Sequence, residues 1–77
     1  MTLATAKTLA RSIGLTLTKH DGEYRVNFQG GKEATAYYTN DIHDALYTAV
    51  AMSRSQDAPC TLNCAWVLNT LAEDTRS

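Results

Sequence analysis

Two glycine-containing pairs, Asp21-Gly22 and Gly30-Gly31, do most to limit how this chain can fold. Pairs of this kind supply the positive φ angles that tight β-hairpin turns require. They divide the stretch from residue 15 to residue 38 into three short runs. The sequence therefore predicts a three-stranded antiparallel meander on which the rest of the chain must pack.

The residue types indicate the register of the first hairpin. A two-residue loop at the first pair places Leu17 opposite Val26. Leu15 then lies opposite Phe28, on the same apolar face as Tyr24. Apolar pairs of this kind fix the register of neighbouring strands. The opposite face is polar and is predicted to meet water or a partner; it carries Thr16, Thr18, Arg25 and Asn27.

The second pair leaves two registers open, and a slip of one residue moves every side chain of the third strand to the other face. A two-residue loop places Tyr37 on the apolar face. A three-residue loop that includes Lys32 places Tyr38 there instead, together with two alanines. We favour the second register, because small alanines let a helix approach the sheet closely. Tyr37 then stands on the polar face beside Arg25.

Apolar residues recur at helical spacing on both sides of this meander. The first helix is predicted over residues 3 to 13, with Thr2 as its N-cap. The second is predicted over about residues 41 to 54. Asp41 and Asp44 lie in its first turn, where acidic side chains suit the positive end of the helix dipole.

A third helix is predicted over roughly residues 60 to 73, after a polar loop that ends at Pro59. Its apolar stripe either covers the core or meets a second copy of the chain, and Trp66 beside the stripe either completes the core or marks a dimer contact. The residues from Asp74 onward are expected to fray. Residues 1 to 77 are thus predicted to form a single α+β domain of order α-β-β-β-α-α, a three-stranded antiparallel meander with helices packed on one face.

Length and charge limit the classes of function. A chain of 77 residues has a small core, so self-association into a homodimer is a further expectation. The net charge of -1 argues against a general nucleic-acid binder, which normally has a strongly basic face. The sequence begins without the pattern of a secretion signal and contains no apolar run long enough to cross a membrane, so we expect a cytoplasmic protein.

Few residues are suited to catalysis or metal binding. The two cysteines and two histidines have the right chemistry for zinc, but their spacing matches no standard zinc finger or ribbon. Buried thiols at Cys60 and Cys64, with no metal and no cofactor, are therefore expected. Asp41 and Asp44 next to His43 are better explained as helix-start residues than as partners of a catalytic imidazole. No nucleophile motif or phosphate loop is present, and we expect a protein that is not an enzyme.

Exposed aromatic and charged side chains are better candidates for binding. The candidates for docking a protein partner are Arg25, Asn27, Tyr37, Asp41, Asp44 and Trp66. The alternative is a surface for DNA or RNA, and its candidates are the basic residues Lys7, Arg11, Lys19, Arg25 and Lys32.

Several runs of residues carry a family resemblance. They are Glu23-Tyr24-Arg25-Val26-Asn27-Phe28, then Gly30-Gly31-Lys32, Tyr37-Tyr38-Thr39 and Asp44-Ala45. Together they resemble the three-strand-plus-helix DNA-binding domain at the N-terminus of phage integrases. That family reads DNA with its sheet, which implies binding roles for Arg25, Asn27 and Lys32. The α-β-β-β-α order also resembles double-stranded RNA-binding domains, whose last helix begins with a basic cluster where this chain is acidic.

A second resemblance covers the stretch from Asp21 to Met52. Its Tyr-Tyr-Thr, Asp and Asp-Ala pattern is similar to small uncharacterised proteins of bacterial plasmids, integrated islands and phages. This implies an accessory or regulatory role for a mobile element, including antagonism of a host defence complex. Our leading hypothesis is a non-enzymatic binding module that docks a protein partner through the open sheet face or the acidic start of the second helix. The alternative is a DNA- or RNA-binding domain that uses a sheet face and the first helix.

Overall fold

Three helices and one three-stranded sheet make up the part of the chain described by this computed structural model, residues 1–55 and 61–76. In chain order they are α1 (Leu3–Ser12), β1 (Leu15–His20), β2 (Glu23–Phe28), β3 (Tyr37–Thr39), α2 (Ile42–Arg54) and α3 (Thr61–Arg76). The α+β class and the predicted order are confirmed. The predictions for Pro59 and Cys60 lie outside the described residues.

The first hairpin has the predicted register. The strands lie in the order β1-β2-β3 and both neighbouring pairs are antiparallel. Leu17 is opposite Val26, and Leu15 is opposite Phe28. The connecting turn is residues 21 and 22, with φ angles of 52° and 80°. Local turn chemistry and cross-strand apolar pairs therefore agree, as the sequence predicts.

The second hairpin differs from both predicted loops. Tyr37 is opposite Val26 and Tyr38 is opposite Arg25, so Tyr38 lies on the polar face and the favoured register was wrong. The connection is residues 29–36, which include a 3-10 turn at Glu33–Thr35. Because the loop is this long, the glycine pair does not determine the register of the second hairpin. Strand β3 has only three residues.

A single apolar core joins all three helices to one face of the sheet. Leu9 of α1 and Leu46 of α2 are fully buried in it together with Val26 of β2. Helix α3 packs on α2 and, over a shorter contact, on α1. Its Val67 and Leu71 are buried in this same core, so the apolar stripe of α3 covers its own chain.

Side-chain caps explain where two helices begin. The Thr2 hydroxyl accepts a hydrogen bond from the Thr5 amide, and an Asp41 carboxylate oxygen accepts one from the His43 amide at 2.9 Å. Thr2 is thus the predicted N-cap of α1, and Asp41, predicted in the first turn of the second helix, is the N-cap of α2. No helix within residues 1–55 and 61–76 is long and apolar enough to cross a membrane.

Helix α3 is longer than predicted. It continues to Arg76, so the expectation of fraying from Asp74 was wrong. The last turn is held by contacts with distant parts of the chain, since Asp74 Oδ2 lies 2.6 Å from Nε2 of His43 in α2. The other carboxylate oxygen of Asp74 lies 3.2 Å from the amine of Met1.

Candidate partner-binding site

The side of the sheet away from the helices carries the best candidate site, which we call the open face. Its residues are Thr16 and Thr18 of β1, Arg25 of β2 and Tyr38 of β3. Alternation along a strand places them opposite the core, because their neighbours Leu17 and Val26 are buried. Within the described ranges the helices bury their apolar residues on the other side of the sheet.

Arg25 and Tyr38 are joined by one carboxylate. The Arg25 guanidinium donates to Glu33 Oε2 at 2.9 Å, and the Tyr38 hydroxyl donates to Glu33 Oε1. The hydrogen bonds from Tyr38 and then Arg25 lower the pKa of Glu33, and the hydrogen bond to Glu33 raises the pKa of Arg25. The tyrosine side chain is nevertheless 45% exposed. An aromatic ring and a cation are thus fixed side by side on the surface.

Asn27 was predicted to face water or a partner, and this prediction was wrong. The residue is 1% exposed, because the connection of residues 29–36 folds over it. Its Nδ2 donates to the Lys32 carbonyl at 3.0 Å. Its Oδ1 accepts from the Phe28 amide at 2.8 Å and from the Thr35 hydroxyl at 2.6 Å. Asn27 therefore organises the connection that carries Glu33 instead of contacting a partner.

The acidic start of α2 is a second feature, which lies at the end of β3. The Tyr37 hydroxyl donates to Asp44 Oδ2 at 2.6 Å, and this hydrogen bond is the main cause that raises the pKa of Tyr37. Asp41 is occupied as the N-cap of α2. Tyr37 is 37% exposed, so this pair links β3 to α2 at the surface. Both acids serve the local structure, as expected for helix-start residues.

His43 and Asp74 form a contact that sequence reasoning missed. Besides the short contact with Asp74, Nδ1 of His43 lies 3.8 Å from an Asp41 oxygen. The hydrogen bond to His43, followed by that to the Met1 amine, lowers the pKa of Asp74. The residues are 31 positions apart, so no local pattern in the sequence indicates the pair.

Trp66 lies away from both of these features. It stands on α3 beside α1, is 48% exposed, and lines a groove with Ala4 and Leu9. The predicted partner-binding residues are therefore not one site: Arg25 lies on the open face, Tyr37 with the acids lies at the start of α2, and Trp66 lies in the α1–α3 groove.

The basic residues of the nucleic-acid alternative are also divided. Lys7 and Arg11 belong to α1, which packs on the core face, whereas Arg25 projects from the opposite face. The Lys19 ammonium lies 5.3 Å from the centre of the Tyr24 ring. Lys32 is exposed in the connection before β3. The sheet thus separates the cations of α1 from the cation of the open face.

The described cysteine, Cys64, does not join the histidines in a metal-binding group. Cys64 is buried, with its thiol 3.8 Å from the Ser53 hydroxyl. Among the described residues no group of three histidine, cysteine, aspartate or glutamate side chains is placed to hold a metal ion.

Comparison with known proteins adds no further information on the site. No protein-family model, no curated protein and no solved structure matches this chain.

Proposed function

We propose that this chain is a non-enzymatic binding module that docks a protein partner through the open face, with Tyr38 and Arg25 as anchors. The observation that carries the proposal is the shared Glu33, which holds an exposed ring and a guanidinium together. Tyrosine and arginine are among the residues that contribute most to protein interfaces.

Preorganisation favours binding at this place. Ordering a long side chain on association costs roughly 0.5–1.5 kcal/mol. Arg25 and Tyr38 are already held in the free protein through Glu33, so less of this cost remains. The two threonines on β1 are exposed and lie next to Arg25 on the same face of the sheet.

The charge distribution favours a protein partner over nucleic acid. Glu33 is paired with Arg25, so the open face presents little net positive charge. Affinity for nucleic acid comes mainly from several cations that neutralise phosphates together. Here Lys7 and Arg11 lie on the other side of the sheet from Arg25. Within the same proposal, the resemblance to small proteins of plasmids and phages implies an accessory role for a mobile element, including antagonism of a host defence complex.

Paired variants test the proposal. The tagged protein is expressed in bacterial cells and its co-purifying proteins are quantified by mass spectrometry for wild type, Tyr38→Ala, Thr18→Arg and Tyr47→Ala. Tyr47 is the matched control, because it is 44% exposed but lies on α2. A specific partner should be lost with the two open-face variants and retained with Tyr47→Ala. Equal recovery by all four proteins would contradict docking through the open face.

A salt titration separates the two functions. Fluorescence anisotropy with labelled duplex DNA and with labelled RNA should detect no binding at low salt. Binding that weakens linearly with salt concentration on a log-log plot would instead support the nucleic-acid alternative.

A further inference from the structure

Helices α1 and α3 run antiparallel and leave a groove between them. At one end the Asn63 amide donates to the Ser12 carbonyl at 2.9 Å, and at the other the Met1 amine lies 3.2 Å from Asp74. Two cavities, of about 390 and about 410 Å³, follow this groove and share Thr5 and Thr70 as lining residues. The groove therefore extends along most of α1.

The groove has an apolar end and a polar end. Ala4, Leu9 and Trp66 line the first cavity, and Glu73 lines the second. Trp66 is the only tryptophan of the chain, and about half of its surface is exposed. A large ring at the edge of a groove is typical of an interface anchor, because its burial removes a large apolar area from water.

The outward sides of the two helices carry complementary charges at opposite ends. On α1, Ala4, Thr8 and Arg11 are exposed at positions i, i+4 and i+7. On α3, Trp66 and Glu73 are exposed at positions i and i+7. Because the helices are antiparallel, Arg11 lies near the Asn63 end and Glu73 near the Met1 end. Neither charge forms an ion pair with another residue of the described ranges.

We propose that a second copy of this chain docks on the groove and forms a two-fold symmetric dimer. A two-fold axis across the helices lays each α1 over the other copy's α1 in the reverse direction, so Arg11 of each copy lies at the same end of the interface as Glu73 of the other, across the groove. The same operation brings each Trp66 to the other copy's groove near Ala4 and Thr5. Such an interface is self-complementary, as a closed dimer requires. The small side chains on α1 allow the two helix pairs to approach closely.

Sedimentation equilibrium and tryptophan emission, both measured over a dilution series, test this dimer. A mass of two chains should form as concentration rises, and the emission of Trp66 should shift to shorter wavelength over the same range. Trp66→Ala should raise the dissociation constant about 30-fold, the effect of losing an interface anchor. Arg11→Glu or Glu73→Arg alone should raise it about tenfold, and the double variant should restore wild-type association.

Three results would overturn the dimer: a mass of one chain at every concentration, a dimer that Trp66→Ala leaves unchanged, or a double charge variant no tighter than the single ones. Circular dichroism confirms that each variant is folded, and the charge variants change only exposed side chains. Tyr38→Ala is the control that should leave the mass unchanged. The result is therefore independent of whether the open face binds a partner.

Discussion

Replacement of Asn27 by alanine removes a buried carboxamide that makes three hydrogen bonds. Each bond of this kind contributes about 0.5–1.5 kcal/mol net. Thr35 keeps an alternative acceptor, the Lys32 carbonyl at 2.8 Å, so part of the loss is recovered. We therefore expect Asn27→Ala to lower the free energy of unfolding by about 2–3 kcal/mol. For a domain of this size that corresponds to a fall in melting temperature of about 10–20 °C.

The expected loss of stability in Asn27→Ala is this large because β3 is short. The Gln29 amide bonds to the Gly14 carbonyl on the β1 side, so the preceding amide, that of Phe28, points to the β3 side. The paired residues of β3 end at Tyr37, opposite Val26. The Asn27 side chain therefore accepts the hydrogen bond from the Phe28 amide that a longer β3 would otherwise accept. Without it, a half-buried amide loses its partner.

Urea unfolding followed by circular dichroism measures the effect, and the slope against urea concentration should not change. Gln29→Ala is the matched control, an exposed amide two positions further on, and it should change stability by less than about 0.5 kcal/mol. If Asn27→Ala is as harmless as Gln29→Ala, the Asn27 side chain does not hold the connection of residues 29–36 in place.

A double-mutant cycle with Gly31 sharpens this experiment. A Cβ atom on Gly31 would lie 2.6 Å from Asn27 Oδ1, which is too close for any real side chain. Gly31→Ala should therefore cost about 1–3 kcal/mol in the wild-type background and clearly less in the Asn27→Ala background. Equal costs in both backgrounds would show that the two residues are not in contact.

Three further perturbations test the core and the ion pairs. Leu46→Ala should cost about 2–5 kcal/mol in urea unfolding, because Leu46 is fully buried. Ser53→Ala should cost about 1–2 kcal/mol, since the buried Ser53 hydroxyl donates to the Ile13 carbonyl at 2.9 Å. The lowered pKa of Asp74 means that its ionised form stabilises the fold above its ordinary pKa, and that this contribution is lost as pH falls through the folded-state value. The difference in melting temperature between wild type and Asp74→Asn should thus be largest near neutral pH and vanish under strong acid.

The parts of the fold that sequence reasoning predicted correctly depend on local patterns. The first hairpin combines turn residues that adopt positive φ with apolar pairs on both strands, and each signal supports the other. The helices follow from apolar periodicity, and Asp41 marks the start of α2 through its own side chain. In each case the signal lies within one helix or one hairpin.

The second hairpin could not be predicted in this way, because its register depends on a contact between a strand and a loop. Alternation places Asn27 on the polar face correctly, but it does not indicate that residues 29–36 fold back to bury it. Gly31 was interpreted as a turn residue, whereas its lack of a Cβ atom is what lets the Asn27 side chain approach. The preference for alanines of the third strand on the face that packs on the helix placed Tyr38 on that face, whereas Tyr38 lies on the polar face.

The wrong register of the second hairpin is also the reason that sequence reasoning did not find the candidate site. Arg25 was among the predicted binding residues, but its partners Tyr38 and Glu33 were not, since the correct register alone places Tyr38 opposite Arg25. Similarly, Asp74 was assigned to a fraying end because its partner His43 is on another helix. Charged residues that are far apart in the sequence become a site only through tertiary structure, and single-sequence patterns do not contain that information.

The same buried residue connects stability and the proposed binding surface. Asn27 holds the carbonyl of Lys32 and the hydroxyl of Thr35, one on each side of Glu33. Glu33 in turn positions the ring and the guanidinium on the open face. Asn27 is itself buried. It therefore shapes the proposed binding surface from inside the fold, without contacting a partner. The polar side chain of Asn27, three residues before the Gly30-Gly31 pair, is therefore better interpreted as an organiser of the loop than as a contact residue.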